Sequence, residues 1–277
     1  MKPFKHKHID PYTTIITSRE TKEVRVLNVV KHPNPPKVEA FDHKAFLSRT
    51  DITLGAEADL RVLMPPIVDQ GNIGSCVSNA TCSLLSYNYR LSFGPLPIYS
   101  RLYNYFNARG IESRAFNDPS YLIQDTGLYV LDGTISARTY GSVDETIWPY
   151  NTSKFNLLPV GEAYNVNFLT RNIRYNEIAQ TAVAIQTALQ FLRPIIFGIM
   201  LYSNFPGIGS DGIVPMPAGS LYGGHCMLIV GYYQDTRYFI CRNSWGRNWG
   251  DRGYCYIPYD YILNPTLCFD FYTVRYG

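Results

Sequence analysis

Long hydrophobic runs are absent from this 277-residue sequence. No stretch approaches the roughly 18 consecutive apolar residues that a membrane-spanning helix needs, so we expect no membrane partner. The start of the chain, from Met1 to His8, leads into polar sequence without the apolar segment of a secretory signal. These two absences predict an intracellular protein, in the cytoplasm or in the interior of a virion.

Dense clusters of basic residues are also missing. The formal net charge is +3, and only 17% of the residues are charged. Residues 1–55 contain ten Lys or Arg and six Asp or Glu, whereas residues 56–277 contain fifteen and sixteen. Charges of both signs alternate in the first part. This pattern predicts a solvated extension rather than an arm that binds nucleic acid, so no nucleic-acid partner is expected.

Cysteines at metal-binding spacing are lacking too. The six cysteines include no C-x-x-C pair, and they lie at positions 76, 82, 226, 241, 255 and 268. His6 and His8 lie in the polar N-terminal segment, where a solvated tail is a simpler interpretation than a metal site. We therefore predict no metal and no cofactor. If one cysteine is catalytic, the odd number that remains favours reduced thiols and an intracellular setting.

Histidine is scarce in the main part of the chain. Of five histidines, only His225 follows residue 43, so any cysteine nucleophile in the main body has one candidate for its imidazole base. The apolar run after His225 predicts a buried strand. A histidine at the start of a core strand is usually structural. The neighbouring Gly223 and Gly224 instead indicate that another group approaches this backbone closely.

A helix is predicted directly after Cys76. Apolar or small residues recur at helical spacing from this point, at Val77, Ala80, Thr81, Leu84 and Leu85. Cys76 therefore lies at a helix N-terminus, where unpaired N–H groups and the helix dipole favour a thiolate. The residue by itself fits a nucleophile and a buried structural cysteine equally well.

An asparagine and a glutamine complete the candidate set. A second predicted strand, residues 238–242, ends at Asn243, whose amide is placed to orient the His225 ring, although an asparagine after a strand is ordinarily a turn residue. Gln70 precedes Cys76 closely enough to supply an amide donor nearby. The order of these four residues makes coincidence a poor explanation.

This set of residues resembles the papain-like cysteine peptidases, whose local signature is well known. Residues 70–76 match the family's Gln-Gly-x-Cys-Gly-Ser-Cys motif except at Ile73, Gly224-His225 matches the histidine region, and residues 243–246 match the asparagine region. The resemblance covers about residues 58–277. It implies that Cys76 is the nucleophile and that His225 is the base and later the acid.

The resemblance also implies roles for the remaining residues. Asn243 orients the imidazole, and Gln70 joins the Cys76 backbone N–H in the oxyanion hole. Trp245 covers the Asn243–His225 pair, and Gly223 and Gly224 flank the cleft that binds a polypeptide substrate.

Three departures from the family pattern alter the expected surroundings of the site. Ile73 replaces a cysteine that forms a disulfide in secreted members, and Val77 and Asn79 replace aromatic residues. These differences favour the prokaryotic and large-virus branch of the family over the lysosomal cathepsins. They change the wall of the cleft rather than the chemistry.

The sequence therefore predicts a thiol protease, a hydrolase with a Cys-His-Asn triad that acts as an endopeptidase through a thioester. One alternative is an acyl-transfer enzyme, a ligase or transamidase, that uses the same groups. The other is an inactive binding or packaging protein with a peptidase fold, against which the retention of all four residues argues.

The expected fold is α+β with two lobes and the cleft between them. Residues 56–157 are predicted to be mainly helical, and residues 158–277 to form a β-barrel-like lobe, with one helix near residues 176–192. Residues 1–55 form an N-terminal extension with a strand at residues 24–30. We expect a monomer and treat the extension as a candidate inhibitory prosegment of a zymogen, released near residues 53–58, with a plain structural arm as the alternative.

Overall fold

The fold is described by a computed structural model that covers residues 4–50, 53–165 and 171–277. Its helices are α1 (His43–Thr50), α2 (Cys76–Phe93), α3 (Arg101–Phe116), α4 (Ser120–Ile123), α5 (Asp132–Tyr140), α6 (Ala182–Gln190) and α7 (Tyr259–Ile262). Its strands are β1 (Phe4–His8), β2 (Thr14–Ser18), β3 (Val24–Leu27), β4 (Glu57–Asp59), β5 (Ile173–Glu177), β6 (Ile195–Tyr202), β7 (Leu221–Tyr233), β8 (Tyr238–Arg242), β9 (Tyr254–Pro258) and β10 (Cys268–Tyr276).

One lobe is built on a seven-stranded sheet. Six of its strands pair in the order β5-β10-β6-β7-β8-β9, and the seventh, β4, lies outside this order and pairs with residues 231–233 of β7. Neighbouring strands run antiparallel. The two central strands, β6 and β7, consist almost entirely of buried residues, as a sheet covered on both faces requires. His225 lies on β7 and is therefore held by a central, buried strand of this lobe.

The other lobe is helical and surrounds α2. Thirteen residues of α2 are buried, because α3 and α5 cover one side of it and strands of the sheet cover the other. At the start of α3, the Ser100 hydroxyl accepts a hydrogen bond from the Tyr103 N–H at 3.1 Å and caps the helix. The α+β class and the two-lobed arrangement predicted from the sequence are thus confirmed. Within the described residues the large sheet follows an open path rather than a closed barrel.

Two element predictions differ from the structure. The helix expected near residues 176–192 begins only at Ala182, because residues 173–177 pair with β10 and the Thr181 side chain caps the helix. Residues 57–59 were expected in the helical lobe but form β4 of the large sheet.

The N-terminal extension forms two separate parts. Strands β1, β2 and β3 make a small antiparallel sheet, which includes the predicted strand at residues 24–30 but ends it at Leu27. After an exposed proline-containing loop, the backbone of Phe41 donates to Glu177 of β5, and the Phe46 ring lies 4.9 Å from that of Phe191. The second part is thus anchored on the back of the sheet lobe.

The described residues contain no helix long and apolar enough to cross a membrane. Within the same ranges there is no cluster of His, Cys, Asp or Glu able to hold a metal ion. All six cysteines are buried free thiols.

Candidate active site

Cys76 is the first residue of α2 and is completely buried. The helix begins there, as the periodicity predicted, and Asn79 N–H donates to the Ser75 carbonyl in its first turn. The backbone of Cys226, the residue that follows His225, lies within hydrogen-bonding reach of the Cys76 sulfur. The fold therefore brings the predicted nucleophile to the strand that carries the predicted base.

His225 and Asn243 form a direct hydrogen bond. The His225 Nε2 to Asn243 Oδ1 distance is 2.8 Å, and the Ser244 backbone N–H donates to the same oxygen at 2.8 Å. Strands β7 and β8 are paired, so the residue after β8 is delivered beside the histidine of β7. The other ring nitrogen, Nδ1, is buried and has no hydrogen-bond partner among the described residues. It is the nitrogen left to exchange a proton.

Trp245 covers the histidine–asparagine pair. Its ring lies 5.0 Å from the His225 ring, and the indole is 4% exposed. Trp249 and Phe205 pack behind it, with ring centroids 5.3 and 6.0 Å from that of Trp245. This aromatic cluster keeps water away from the Asn243–His225 hydrogen bond, in the position that the resemblance implied for Trp245.

Gln70 is fixed at both ends of its side-chain amide. Its Oε1 accepts from the Ser244 hydroxyl at 2.7 Å, and its Nε2 donates to the Ile73 carbonyl at 3.1 Å. Its backbone carbonyl accepts from the Tyr150 hydroxyl at 2.8 Å. The amide thus has one N–H left, and its direction is set by the protein rather than by solvent.

The N-terminal extension crosses the site at Gly223 and Gly224, the two glycines predicted to flank the cleft. The Val29 N–H donates to the Gly224 carbonyl at 3.2 Å. A methyl group built on Gly224 would lie 1.7 Å from the Val29 carbonyl oxygen, and one built on Gly223 would lie 3.3 Å from Leu27 Cβ. The glycines therefore allow a close backbone approach, as the sequence indicated, and the extension is the segment that approaches.

Asn28 reaches across to the helical lobe. Its side chain occupies the space beside Gly74 and Gly127, where added methyl groups would lie 2.1 and 2.4 Å from its amide atoms. The Asn28 Nδ2 donates to the Asp125 carbonyl at 3.1 Å. Since Gly74 belongs to the loop before Cys76, this contact places the extension against both walls of the cleft.

Arg25 places a positive charge near the imidazole. Its guanidinium is almost completely buried, donates to the Trp245 carbonyl at 3.4 Å and pairs with Asp69 at 3.2 Å. This charge disfavours protonation of His225. The extension therefore changes the electrostatics of the site as well as its accessibility.

Burial keeps the two reactive groups neutral in this arrangement. Burial raises the pKa of the Cys76 thiol to about 12. It is also the main cause that lowers the pKa of His225 to about 4. The thiolate expected at the helix N-terminus is thus not favoured in this arrangement. The dipole and the backbone amides oppose the shift without overcoming the loss of solvation.

Two residues that support the site, Tyr150 and Asp125, were not predicted from the sequence. The Tyr150 hydroxyl lies 2.5 Å from the Ser75 hydroxyl and donates to the Gln70 carbonyl. Asp125 accepts from the Gly74 N–H. No local pattern marks either residue, because both act across the fold on a loop distant in sequence.

Comparison with known proteins identifies the family. The chain is 30% identical over 225 residues to an uncharacterized peptidase C1-like protein of Acanthamoeba polyphaga mimivirus, a match that spans 75% of this chain and 69% of that protein. A sequence profile of papain family cysteine proteases matches residues 132–264, which include His225 and Asn243. The chain belongs to the papain family of cysteine proteases. This is the hydrolase class predicted from its motifs.

Other papain family members are similar in sequence and in structure. The thiol protease aleurain of Arabidopsis thaliana is 28% identical over 206 residues, and the match covers 69% of this chain but only about half, 52%, of aleurain. Xylellain, a cysteine protease from Xylella fastidiosa, superposes with a TM-score of 0.79 at 27% identity, over 91% of this chain and 97% of that chain. The mimivirus and Xylella matches agree with the predicted prokaryotic and large-virus branch of the family.

Proposed function

We propose that this papain family protein is a cysteine endopeptidase with Cys76, His225 and Asn243 as its triad, and that the first part of its extension covers the site. The observation that carries the proposal is the 2.8 Å His225–Asn243 hydrogen bond, on a strand whose next residue, Cys226, has its backbone within hydrogen-bonding reach of Cys76 at the N-terminus of α2. A nucleophile, a base and a group that orients the base are the parts that acyl transfer to a thiol requires.

The reaction would proceed in two stages. The Cys76 thiolate attacks the carbonyl carbon of the scissile peptide, and the resulting oxyanion accepts hydrogen bonds from Gln70 Nε2 and the Cys76 backbone N–H. The His225 imidazolium donates its Nδ1 proton to the leaving amine, which leaves a thioester on Cys76. His225 then takes a proton from water, and the hydroxide attacks the thioester. The C–S bond breaks, the acid leaves, and Cys76 returns as a thiolate with His225 protonated, as before the first stage.

The path of the extension supports an endopeptidase. Residues 24–29 run through the cleft in an extended form, and the chain continues on both sides of the site. A cleft that holds an internal segment in this way has room for an internal stretch of a polypeptide substrate. The same path supports inhibition, because Val29 and Asn28 occupy the space in which a substrate backbone would lie.

The test compares covered and uncovered protein. We would insert a site for a specific protease into the exposed loop at residues 33–37 of the full chain, and cut it after folding. This design keeps the second part of the extension anchored through Phe41 and Phe46. Uncut and cut protein are then assayed on a peptide substrate and labelled with an epoxide inhibitor of cysteine peptidases, followed by peptide mapping.

The proposal predicts that cutting raises hydrolysis and labelling, that the label maps to Cys76, and that Cys76→Ala abolishes both. Cys82→Ala is the matched control, because this thiol is also buried in α2 but should be dispensable for chemistry. Hydrolysis by the Cys76→Ala variant would refute the triad. Equal activity before and after the cut, with no inhibition by added residues 1–33, would leave the extension as a structural arm.

An added amine distinguishes hydrolysis from acyl transfer. A peptidase yields mainly the acid, whereas a ligase or transamidase yields the amide. Neither alternative activity is favoured by a feature of the described site.

A further inference from the structure

The peptide unit between Ile73 and Gly74 connects a carboxylate to the predicted oxyanion donor. The Gly74 N–H donates to both Asp125 oxygens, at 3.0 and 2.8 Å. The carbonyl of the same peptide, on Ile73, accepts from Gln70 Nε2 at 3.1 Å. Because a peptide unit is planar and rigid, its N–H and C=O cannot turn independently. Fixing the N–H therefore fixes the acceptor that holds Gln70.

The Asp125 carboxylate is itself held from the helical lobe. The Tyr105 hydroxyl on α3 donates to Asp125 Oδ1, and the same hydroxyl accepts from the Gly127 N–H at 3.1 Å. The backbone next to Asp125 is held by Arg109, whose Nη1 donates to the Gln124 carbonyl at 2.9 Å. The carboxylate thus has a fixed position, and its donors favour the ionised form against the effect of burial, which raises its pKa.

The other end of the Gln70 amide is fixed from the sheet lobe. Its Oε1 accepts from the Ser244 hydroxyl at 2.7 Å, and its backbone N–H donates to the Ser244 carbonyl at 2.8 Å. With Oε1 and one Nε2 hydrogen both engaged, a turn of the amide would break two hydrogen bonds. The remaining Nε2 hydrogen therefore keeps its direction as long as the Ile73 carbonyl stays in place.

An effect on the thiol does not explain the position of Asp125. The carboxylate is close enough to raise the pKa of Cys76, so its charge opposes the thiolate that the reaction needs. A residue that activated the nucleophile would carry the opposite charge. The hydrogen bonds to Gly74 instead connect Asp125 to the loop that presents Gln70.

We infer that Asp125 is a positioning residue for the oxyanion hole, acting on Gln70 through the Ile73–Gly74 peptide. The inference rests on the proposed function, because it assigns Gln70 to the oxyanion. An asparagine in place of Asp125 keeps the shape, but its NH2 group replaces one of the two oxygens that accept from the Gly74 N–H. With Oδ1 kept toward Tyr105, a donor then faces the Gly74 N–H where Oδ2 accepted at 2.8 Å. The peptide unit would then lose part of its restraint.

The test measures the coupling between the two residues in the full chain with the cut extension. Asp125→Asn should lower kcat by about 10- to 100-fold with little change in KM, since a small displacement of a group that acts on the transition state costs this much. Gln70→Ala should lower kcat by at least about 100-fold. In the Gln70→Ala background, Asp125→Asn should add less than about a twofold effect, because the group that it positions is gone.

Alkylation of Cys76 by iodoacetamide separates this inference from the proposed function. Alkylation forms no oxyanion, so Asp125→Asn must leave the alkylation rate equal or higher. Asp144→Asn is the matched control, because Asp144 is an exposed carboxylate that also accepts from a turn N–H. Independent, multiplicative effects of Asp125→Asn and Gln70→Ala on kcat would overturn the inference. A slower alkylation with Asp125→Asn would overturn it as well, because it would indicate general disruption.

A second variant covers the case in which Asp125→Asn folds poorly. Tyr105→Phe removes only the hydroxyl that holds the carboxylate, so it should lower kcat several-fold and show the same loss of effect in the Gln70→Ala background. An unchanged kcat in Tyr105→Phe would contradict the inference. If alkylation maps to Cys76 while Gln70→Ala leaves kcat unchanged, the inference fails and the nucleophile assignment stands.

Discussion

Gly224→Ala is the sharpest perturbation of the contact between the extension and the cleft. A methyl group at this position would lie 1.7 Å from the Val29 carbonyl oxygen, about half of an ordinary carbon–oxygen contact. The backbone of Gly224 does not have a positive φ, so alanine fits the strand itself. The change is therefore directed at the docked extension rather than at the sheet.

The expected increase in uncovered protein follows from the contacts that the docked extension would lose. It loses the Val29–Gly224 hydrogen bond, worth about 1 kcal/mol. It also has to relieve an overpacked contact, which costs roughly 1–3 kcal/mol. A total of about 3 kcal/mol corresponds to roughly a hundredfold increase in the fraction of molecules with an uncovered site. Because only uncovered molecules react, labelling of Cys76 in the uncut full chain should rise by a similar factor.

The assay is the rate of epoxide or iodoacetamide labelling of uncut protein, with the cut protein as the upper limit. Gly161→Ala is the matched control, because a methyl group there meets no atom within 4 Å. Equal labelling of wild type, Gly224→Ala and Gly161→Ala in folded uncut protein would refute the covering role assigned to residues 24–29. A fall in the labelling of cut Gly224→Ala would show instead that the methyl group damages the site.

The remaining predictions concern pH and stability. Cys76 and His225 together hold one proton in both forms. In the covered form, with pKa values of about 12 and about 4, the proton is on the Cys76 sulfur, and in the uncovered ion pair it is on the His225 imidazole. Uncovering therefore takes up no net proton, so the labelling rate of uncut relative to cut protein should stay constant between about pH 5 and pH 8, and a roughly tenfold change per pH unit would contradict the ion pair. Arg109→Met leaves three carbonyls without their buried donor, those of Tyr121, Gln124 and Phe155. The free energy of unfolding, measured in urea, should therefore fall by about 3 kcal/mol or more. A loss below about 1 kcal/mol would show that these carbonyls find other donors.

The sequence was sufficient to locate the reactive groups because each has a local signature. Helical periodicity after Cys76 predicts the start of α2, and the scarcity of histidine leaves His225 as the one base in the main body. The pairing of Asn243 with His225 also follows from two consecutive strands, which pair in the structure. These features depend on short-range pattern, and two of them can be compared with the structure directly: α2 begins at Cys76, and His225 is hydrogen-bonded to Asn243.

The residues that hold the site in shape have no such signature. Asp125 and Tyr150 act on the Gln70–Ser75 loop through hydrogen bonds across large sequence separations. The early end of the strand at Leu27 and the late start of α6 depend on tertiary pairing, since Val29 bonds to Gly224 and Glu177 pairs with Tyr272. Propensity alone does not distinguish these arrangements from the ones predicted.

The protonation states of Cys76 and His225 depend on the extension and do not follow from the residue types alone. A cysteine at a helix N-terminus and a histidine base predict an ion pair, yet in the covered form burial of both groups, and for His225 also the Arg25 charge, favour the neutral thiol and the neutral imidazole. The dipole and the neighbouring imidazole are present in both situations, so solvent access decides which form dominates. Removing the cover would therefore do two things at once. It would open the cleft to substrate, and it would move the Cys76 and His225 pKa values toward the ion pair that attacks it.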